Sequence, residues 1–160
     1  MSFAQFSSFL ATQFTLNERR KISSSTGGLI ELDSNFIVRR SNATSLEELL
    51  YEPHLVGKNF LKVLKPRVSE ADYKKCFLVL SNLVQHGNLI RPVIKQNPFD
   101  CLRIMAVMQN GRAVAKYLRC EFRKSDSFED TGNWLIVIRD ISKSVRASKL
   151  IKRSNQKAED

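Results

Sequence analysis

The chain has 160 residues, of which 42% are hydrophobic and 26% charged, a composition that predicts one globular domain with terminal extensions. No run of about 18 apolar residues occurs, and the first residues lack the basic start and apolar core of a secretory signal, so we expect neither a membrane-spanning helix nor secretion. An organellar transit peptide is disfavoured because the basic residues of the first segment come late in it, which leaves a cytoplasmic protein as the expectation.

The formal net charge of the chain is +10. Such a charge fits a nucleic-acid or anionic-membrane partner, or simply a solvated basic surface. No block of five basic residues occurs and the excess charge is spread along the chain. The spread favours the solvated surface and argues against a nucleic-acid partner.

The three cysteines, Cys76, Cys101 and Cys120, are widely spaced, with no Cys-x-x-Cys pair and no histidine nearby. Their apolar neighbours predict buried free thiols in a reducing compartment, not disulfides or a metal site.

The first segment carries an apolar stripe at helical spacing. Its members recur every three or four residues, which predicts one face of an amphipathic helix. They are Phe3, Phe6, Leu10 and Phe14. This face packs either on its own domain or on the same helix of a second subunit, and we weigh the two alternatives equally. Residues 1–27 are therefore assigned to an N-terminal helix and a polar linker.

Two strands and three helices are predicted next. Residues 29–33 and 36–40 flank a Ser-Asn turn and predict a tight hairpin. Helical patterns follow over residues 46–50, 56–64 and 70–85, the last being the longest. The predicted apolar face of the long helix consists of Tyr73, Phe77, Leu80 and Val84.

The second half of the chain predicts three more strands. Asn110-Gly111 separates β-forming runs at 101–109 and 112–123, and this pair favours a type I′ hairpin, which needs positive φ at both central residues. Residues 134–142 form a nearly unbroken apolar run, typical of a central strand covered on both faces. Residues 143–160 predict a weak basic helix with a thin apolar seam.

Several short sequence motifs occur in a fixed order along these predicted strands and helices. They are Gly28-Leu-Ile-Glu-Leu-Asp33, Ile37-Val-Arg-Arg-Ser-Asn42, Leu46-Glu-Glu-Leu-Leu50, Val56-Gly57-Lys-Asn-Phe60, the Asn110-Gly111 turn and Arg139-Asp140-Ile141-Ser142. Their order and spacing over residues 28–142 resemble the PAS (Per-Arnt-Sim) sensor domain family. No single one of these motifs is specific to that family.

The resemblance implies an α+β fold with a five-stranded antiparallel sheet, short helices, one longer helix, and helical extensions at both termini. It also implies a pocket on the concave face and a signal that passes through the flanking helices. Domains of this family bind haem, flavin, small acids or metals, or act only as dimerisation modules, so the fold leaves the function open.

The resemblance allows two cofactors to be tested against the residues. The flavin photosensors of the family need an Asn-Cys step, and the word Gly57-Lys-Asn-Phe60 has no sulfur, which excludes the light-driven adduct but not non-covalent flavin binding. Haem needs an axial ligand, usually a histidine on the long helix. His86 lies at the end of that helix, where a surface position beside the negative helix pole is the favoured interpretation, and His54 is a weaker candidate. We expect no cofactor, with haem as the alternative.

Residues expected to point inward are the candidates for lining a pocket. They are Leu32, Phe36, Leu50, Phe60, Phe77, Ile104, Tyr117, Arg119, Trp134 and Ile136, joined by Ile30, Leu80 and Ala106. Core packing alone explains nearly all of them. An inward Arg103 or Arg119 would clamp a carboxylate, but an outward, solvated arginine is favoured.

The function predicted from the sequence is a sensory or protein-interaction module that homodimerises and relays a signal to an effector domain or partner protein. The first alternative is a haem-dependent, or less plausibly flavin-dependent, sensor that takes a small-molecule ligand. The second is a nucleic-acid or acidic-partner binder acting through Lys143, Arg146, Lys149, Lys152 and Arg153. With two histidines, no phosphate-cradling glycine loop and no Ser-His-Asp or paired-carboxylate pattern, we expect no enzymatic activity and no metal site.

Overall fold

The computed structural model describes residues 27–42, 47, 49–87, 97–108, 110–125 and 133–159. The predicted N-terminal stripe of Phe3, Phe6, Leu10 and Phe14 lies outside the described residues. The elements in chain order are β1 Gly27–Leu32, β2 Val38–Ser41, α1 Phe60–Leu64, α2 Glu70–His86, a 3₁₀ turn Pro98–Asp100, β3 Leu102–Val107, β4 Ala113–Lys124, β5 Trp134–Asp140 and α3 Ser142–Glu159. Glu47, Leu49 and Leu50 are also helical. The predicted α+β architecture is confirmed.

The five strands form one antiparallel sheet in the order β2-β1-β5-β4-β3. β5 pairs with both β1 and β4, and its residues Trp134 to Ile138 are buried on both faces of the sheet. The prediction of a doubly covered central strand from its apolar run is therefore confirmed.

The two faces of the sheet differ in what they bury. On the inner face, alternate strand residues such as Ile30, Ile104, Leu118 and Ile136 join one apolar core with α1 and α2. On the outer face of β4 the opposite alternation places polar side chains, including Tyr117 and Arg119. A β-strand alternates its faces residue by residue, so the inward Leu118 fixes the outward direction of its neighbours.

The β3–β4 hairpin differs from the predicted turn. Gly111 has a φ of 78°. Gly111 N donates to Met108 O at 2.9 Å, and Met108 N donates to Arg112 O at 2.9 Å. In a two-residue type I′ turn at Asn110-Gly111, Arg112 would pair with the residue directly before Asn110 and not with Met108, so the type I′ prediction is wrong although the hairpin itself is present.

The β1–β2 hairpin uses the same geometry without a glycine. Phe36 N donates to Asp33 O at 3.0 Å, and Phe36 itself has a φ of 62°. The Asp33 carboxylate accepts hydrogen bonds from the backbone N–H groups of Asn35 at 2.8 Å and Ile37 at 3.0 Å. The aspartate thus organises the turn that a left-handed phenylalanine completes.

Local sequence signals explain the ends of α1 and α2. Asn59 caps α1 by accepting from Lys62 N at 3.2 Å, and Ser69 caps α2 by accepting from Asp72 N at 3.1 Å. Gly87, with a φ of 68°, ends α2 and donates from its N–H to Leu83 O.

The buried face of α2 is rotated from the predicted one. The residues that it buries are Cys76, Val79, Leu80 and Leu83. Phe77 is 50% exposed and Leu78 is 46% exposed. Because the helix carries apolar side chains on more than one side, two stripes of helical spacing pass through Leu80, and the sequence pattern alone did not separate them.

Candidate functional site

The inner face holds most of the predicted pocket residues. Those that are buried in the core are Leu32, Leu50, Phe60, Ile104, Trp134, Ile136, Ile30, Leu80 and Ala106. Phe36 is partly buried and packs against this core. These residues therefore meet in one apolar layer between the sheet and the helices.

Three predicted pocket residues lie elsewhere. Phe77 points to solvent from α2, and Tyr117 and Arg119 lie on the outer face of β4. The interpretation of an outward Arg119 is consistent with its exposure, and its Nε donates to the backbone carbonyl of Asp100 at 3.3 Å. The inward positions of β4 belong instead to Leu118 and Cys120.

A small, partly open cavity lies between α2 and the β1–β2 hairpin. Its volume is about 10 Å³, roughly the space of one water molecule. Its lining residues are Leu32, Asp33, Phe36, Leu80, Leu83, Val84 and Trp134. A second, open cleft of about 280 Å³ lies beside β3 and is lined by Pro66, Arg67, Val68, Ser69, Asp72, Arg103 and Met105.

Arg67 ties together the segments that cover the inner face. Its guanidinium donates to the carbonyls of Leu50 at 2.9 Å and Val63 at 2.6 Å, and to the Glu52 carboxylate at 2.7 Å. Lys58 also pairs with Glu52. The hydrogen bonds from Lys58 and, after it, from Arg67 hold the pKa of Glu52 below its ordinary value against the opposing effect of burial.

A lysine from the sheet satisfies the end of the first helical segment. Lys116 Nζ donates to Leu49 O at 3.3 Å and lies 4.6 Å from the centre of the Tyr51 ring. Tyr51 has a φ of 50°, and Glu52 N donates to Glu47 O, the bond that closes a helix end of Schellman type. Cations at a helix C-terminus interact favourably with its free carbonyls.

The junction between the sheet and α3 centres on Tyr117. Its backbone N–H donates to Ser142 Oγ at 2.9 Å, and its backbone carbonyl accepts from Ile141 N at 2.8 Å. Lys149 Nζ donates to the Tyr117 hydroxyl at 2.8 Å and lies 4.8 Å from the ring centre. The hydrogen bond from Lys149, and then the charges of Lys149 and Arg103, lower the pKa of Tyr117.

The cysteines fall into two classes. Cys76 and Cys120 are buried, and Cys101 is exposed, which corrects the expectation of three buried thiols. Desolvation raises the pKa of Cys76 to about 12 and also raises that of Cys120. Cys101 follows the 3₁₀ turn just before β3 alternates inward at Leu102, so its side chain faces out.

The candidate cofactor ligands do not meet the core. His86 is exposed in the last turn of α2, and His54 is exposed in the loop before α1. Among the described residues, no group of three or more His, Cys, Asp or Glu side chains is arranged to hold a metal ion. Within the same ranges, no helix has the length and apolar character needed to cross a membrane.

Sequence reasoning missed the ion pairs of Arg67 and the contacts of Tyr117 with α3. The first joins residues far apart in the chain and left no local signal. The second was readable in part, because the alternation around Leu118 and Cys120 places Tyr117 on the opposite face of β4.

No protein-family model matches the sequence, and no curated protein is similar to it. Solved structures are similar. A sensory box histidine kinase/response regulator from Burkholderia thailandensis has 11% identity and a TM-score of 0.50, with 89% of this chain and 98% of that chain covered. An RNA-binding light-oxygen-voltage receptor has 12% identity and a TM-score of 0.51, and the match covers 89% of this chain but 38% of that chain.

The PAS domain of the nitrogen regulation protein NR(II) from Vibrio parahaemolyticus has 13% identity and a TM-score of 0.43, with 80% of this chain and all of that chain covered. The chain has a PAS-like fold. The PAS-like fold predicted from the order of the sequence motifs is confirmed. In this PAS-like fold, side chains of several elements meet on the inner face and at the β4–α3 junction.

Proposed function

We propose that this PAS-like chain is a sensory or protein-interaction module of a signal-transduction protein, and that it relays structural changes of its core through α3 to an effector domain or partner protein. The observation that carries the proposal is the attachment of α3 to β4 at Tyr117. The sensory context of the similar histidine kinase, known from its name, supports the same assignment.

The proposed relay follows from the way successive side chains of β4 alternate between the two faces of the sheet. Leu118 is buried in the core, and its neighbour Tyr117 bonds to Ser142 and Lys149 on the other face. Tyr117 shares its backbone with Leu118, so a shift of the strand at the core moves the start of α3 as well. A packed core has discrete arrangements. A small displacement of side chains on one face of the strand can therefore change the contacts on its other face.

Hydrogen exchange of α3 tests the relay. Leu118→Val removes one buried methylene beside the junction, and we expect faster amide exchange in the first two turns of α3. Ile104→Val is the matched control, because Ile104 is equally buried but belongs to β3. Faster exchange of α3 in both variants, or in neither, would contradict the relay.

We further propose that the module is a homodimer through the apolar stripe of the N-terminal segment. Phe6→Asp combined with Leu10→Asp should convert the species to a monomer in light scattering while the far-ultraviolet spectrum keeps its shape. Ser7→Asp with Ser8→Asp adds the same charge beside the stripe and should leave the mass unchanged. An unchanged mass in the first variant would reject this interface.

We propose that the module works without catalysis and without a resident cofactor, in the cytoplasm. The exposed position of His86 and the buried free thiols support this proposal. The absorption spectrum of the freshly purified protein, with native mass spectrometry on the same sample, is the test. A Soret or flavin band, or a stoichiometric extra mass, would overturn it.

A further inference from the structure

Four cations surround Tyr117 on the outer face of the sheet. Arg103 lies opposite Tyr117 in the β3–β4 register, and Arg119 lies two residues further on the same face of β4. From α3, Lys149 donates to the Tyr117 hydroxyl, and Arg146 Nη2 donates to a backbone carbonyl of β4 at 3.3 Å. We name these five residues the Tyr117 cluster.

The positive charge of the cluster is not neutralised within the described part of the chain. All four cations are exposed, and none of them forms an ion pair with a described carboxylate. Cations that lie close together add up to a positive local electrostatic potential. This potential attracts an anionic partner. The hydrogen bond from Lys149, followed by the charges of Lys149 and Arg103, lowers the pKa of the Tyr117 hydroxyl.

Helix α3 extends the cluster away from the sheet. Arg146, Lys149, Arg153 and Lys157 recur at intervals of three and four residues and therefore share one face of the helix. At a rise of 1.5 Å per residue this basic stripe is about 16 Å long. Its residues from Lys149 to Lys157 are exposed. The fold thus assembles, from three elements, a basic surface that no block of the sequence contains.

The other face of α3 decides between a nucleic acid and a membrane. It carries the small or uncharged residues Ser144, Ala147, Ser148, Ile151, Ser154, Asn155 and Ala158. Ile151 is the single large apolar residue among them. A helix that lies on a bilayer needs a broad apolar face opposite its cations, which this face does not provide.

We propose that the Tyr117 cluster and the basic stripe of α3 bind a single-stranded nucleic acid along its sugar-phosphate backbone. The exposed cations match the regular negative charge of the backbone, and the Tyr117 ring among them offers a stacking surface for a base. Arg103 and Arg119 on the sheet set one end of the site, and Lys157 sets the other. The proposal is independent of the signal relay.

Fluorescence anisotropy of a labelled oligouridine of about twelve nucleotides tests the proposal with the full chain. Arg119→Glu with Lys149→Glu should weaken binding by about tenfold or more and flatten the dependence of log K on log salt. The control is Lys62→Glu with Lys75→Glu, which makes the same change of net charge at exposed positions of α1 and α2. This control should bind within about twofold of the wild type.

Several results would overturn the proposal. They are an undetectable affinity of the wild type, an equal loss of affinity in both double variants, and a weak affinity that does not change with salt. Binding to phosphatidylserine vesicles or to polyglutamate at least as tight as binding to oligouridine would also reject a nucleic-acid site. Circular dichroism of each variant establishes that it is folded.

The tyrosine ring gives a second, independent readout. Tyr117→Phe keeps the ring and should keep the preference for single-stranded over duplex oligonucleotide, whereas Tyr117→Leu should lose about fivefold or more of the affinity for the single strand. If Tyr117→Phe and Tyr117→Leu bind oligouridine equally, the stacking role of Tyr117 is wrong. In that case only the variant that combines Arg119→Glu with Lys149→Glu tests the proposed contacts with the phosphates.

Discussion

Phe36 closes the β1–β2 turn with a φ of 62°, a backbone conformation that costs a non-glycine residue about 1–2 kcal/mol. Its ring lines the small cavity next to Leu80 and Trp134 and packs against the core. Phe36 O also accepts from Phe60 N at 2.8 Å, which joins the turn to α1. Side-chain packing thus offsets a strained backbone at one position.

Replacing Phe36 with glycine and with alanine separates these two effects. Both variants lose the ring and should be destabilised, by about 2–4 kcal/mol. Glycine adopts positive φ without strain, so Phe36→Gly should be more stable than Phe36→Ala by about 1 kcal/mol, the reverse of the usual order. Urea unfolding measures both. A more stable alanine variant would contradict the left-handed conformation of this turn.

The three thiols should differ in reactivity. Burial keeps Cys76 and Cys120 protonated and out of reach of a reagent, whereas Cys101 is exposed. In the native protein at neutral pH we expect one thiol to react quickly with an aromatic disulfide reagent and the other two to react only on unfolding. Cys101→Ser should abolish the fast phase. A fast phase that persists in this variant would contradict the assignment.

At the scale of the elements, ionic contacts hold the helical segments over the sheet. Arg67 satisfies carbonyls of two segments and pairs with Glu52, and it is 13% exposed. Its own backbone carbonyl accepts from Met105 N at 2.7 Å, so the edge strand β3 is attached to the same residue. Removing the carboxylate would leave a largely buried guanidinium without its anion, which is costly.

The Glu52 contacts predict a pH-dependent stability. Because the folded pKa of Glu52 lies below its unfolded value of about 4.3, its contribution is complete above that pH and is lost as the pH falls through the folded pKa. Glu52→Gln should therefore cost about 1–3 kcal/mol at pH 7 and progressively less below about pH 4. Urea unfolding across this pH range is the measurement.

A matched control is available on α2. Glu70 pairs with Lys74 four residues along the helix, and both side chains are mostly exposed, so Glu70→Gln should change the stability little at any pH. If Glu52→Gln and Glu70→Gln behave alike, or if the cost of Glu52→Gln does not change with pH, the contacts of Glu52 do not have the role assigned to them.

The sequence predicted elements better than it predicted how they meet. Strand periodicity, the helical pattern of residues 70–85 and the apolar run of β5 were local signals, and the corresponding elements are present. The buried side of α2 depended on tertiary packing. The Tyr117 cluster could not be predicted from the sequence, because its cations come from three elements. Only the strand register and the packing of α3 bring these elements together.

At the scale of the whole molecule, the PAS-like sheet separates two environments. The inner face is apolar and closely packed, with Phe99 and Phe122 in an edge contact at 4.9 Å. The outer face of β4 carries the charged cluster and α3. The proposed relay and the proposed nucleic-acid site use the same helix, which makes α3 the part of the molecule where a change in the core would alter binding.

The order of the strands in the sheet also affects how the chain folds during its synthesis. β5 is the last strand in the chain, yet it joins β1 to β4, and its pairing with β1 connects residues about 100 positions apart. Until β5 has been synthesised, the chain holds two separate hairpins, and an isolated hairpin is marginal in water. The entropy of closing this long loop must be lost before the contacts of β5 can form, so we expect the complete sheet to form slowly and only after β5 has emerged. We therefore expect a chain that is truncated before Trp134 to form no stable sheet, which circular dichroism of the truncated protein would test.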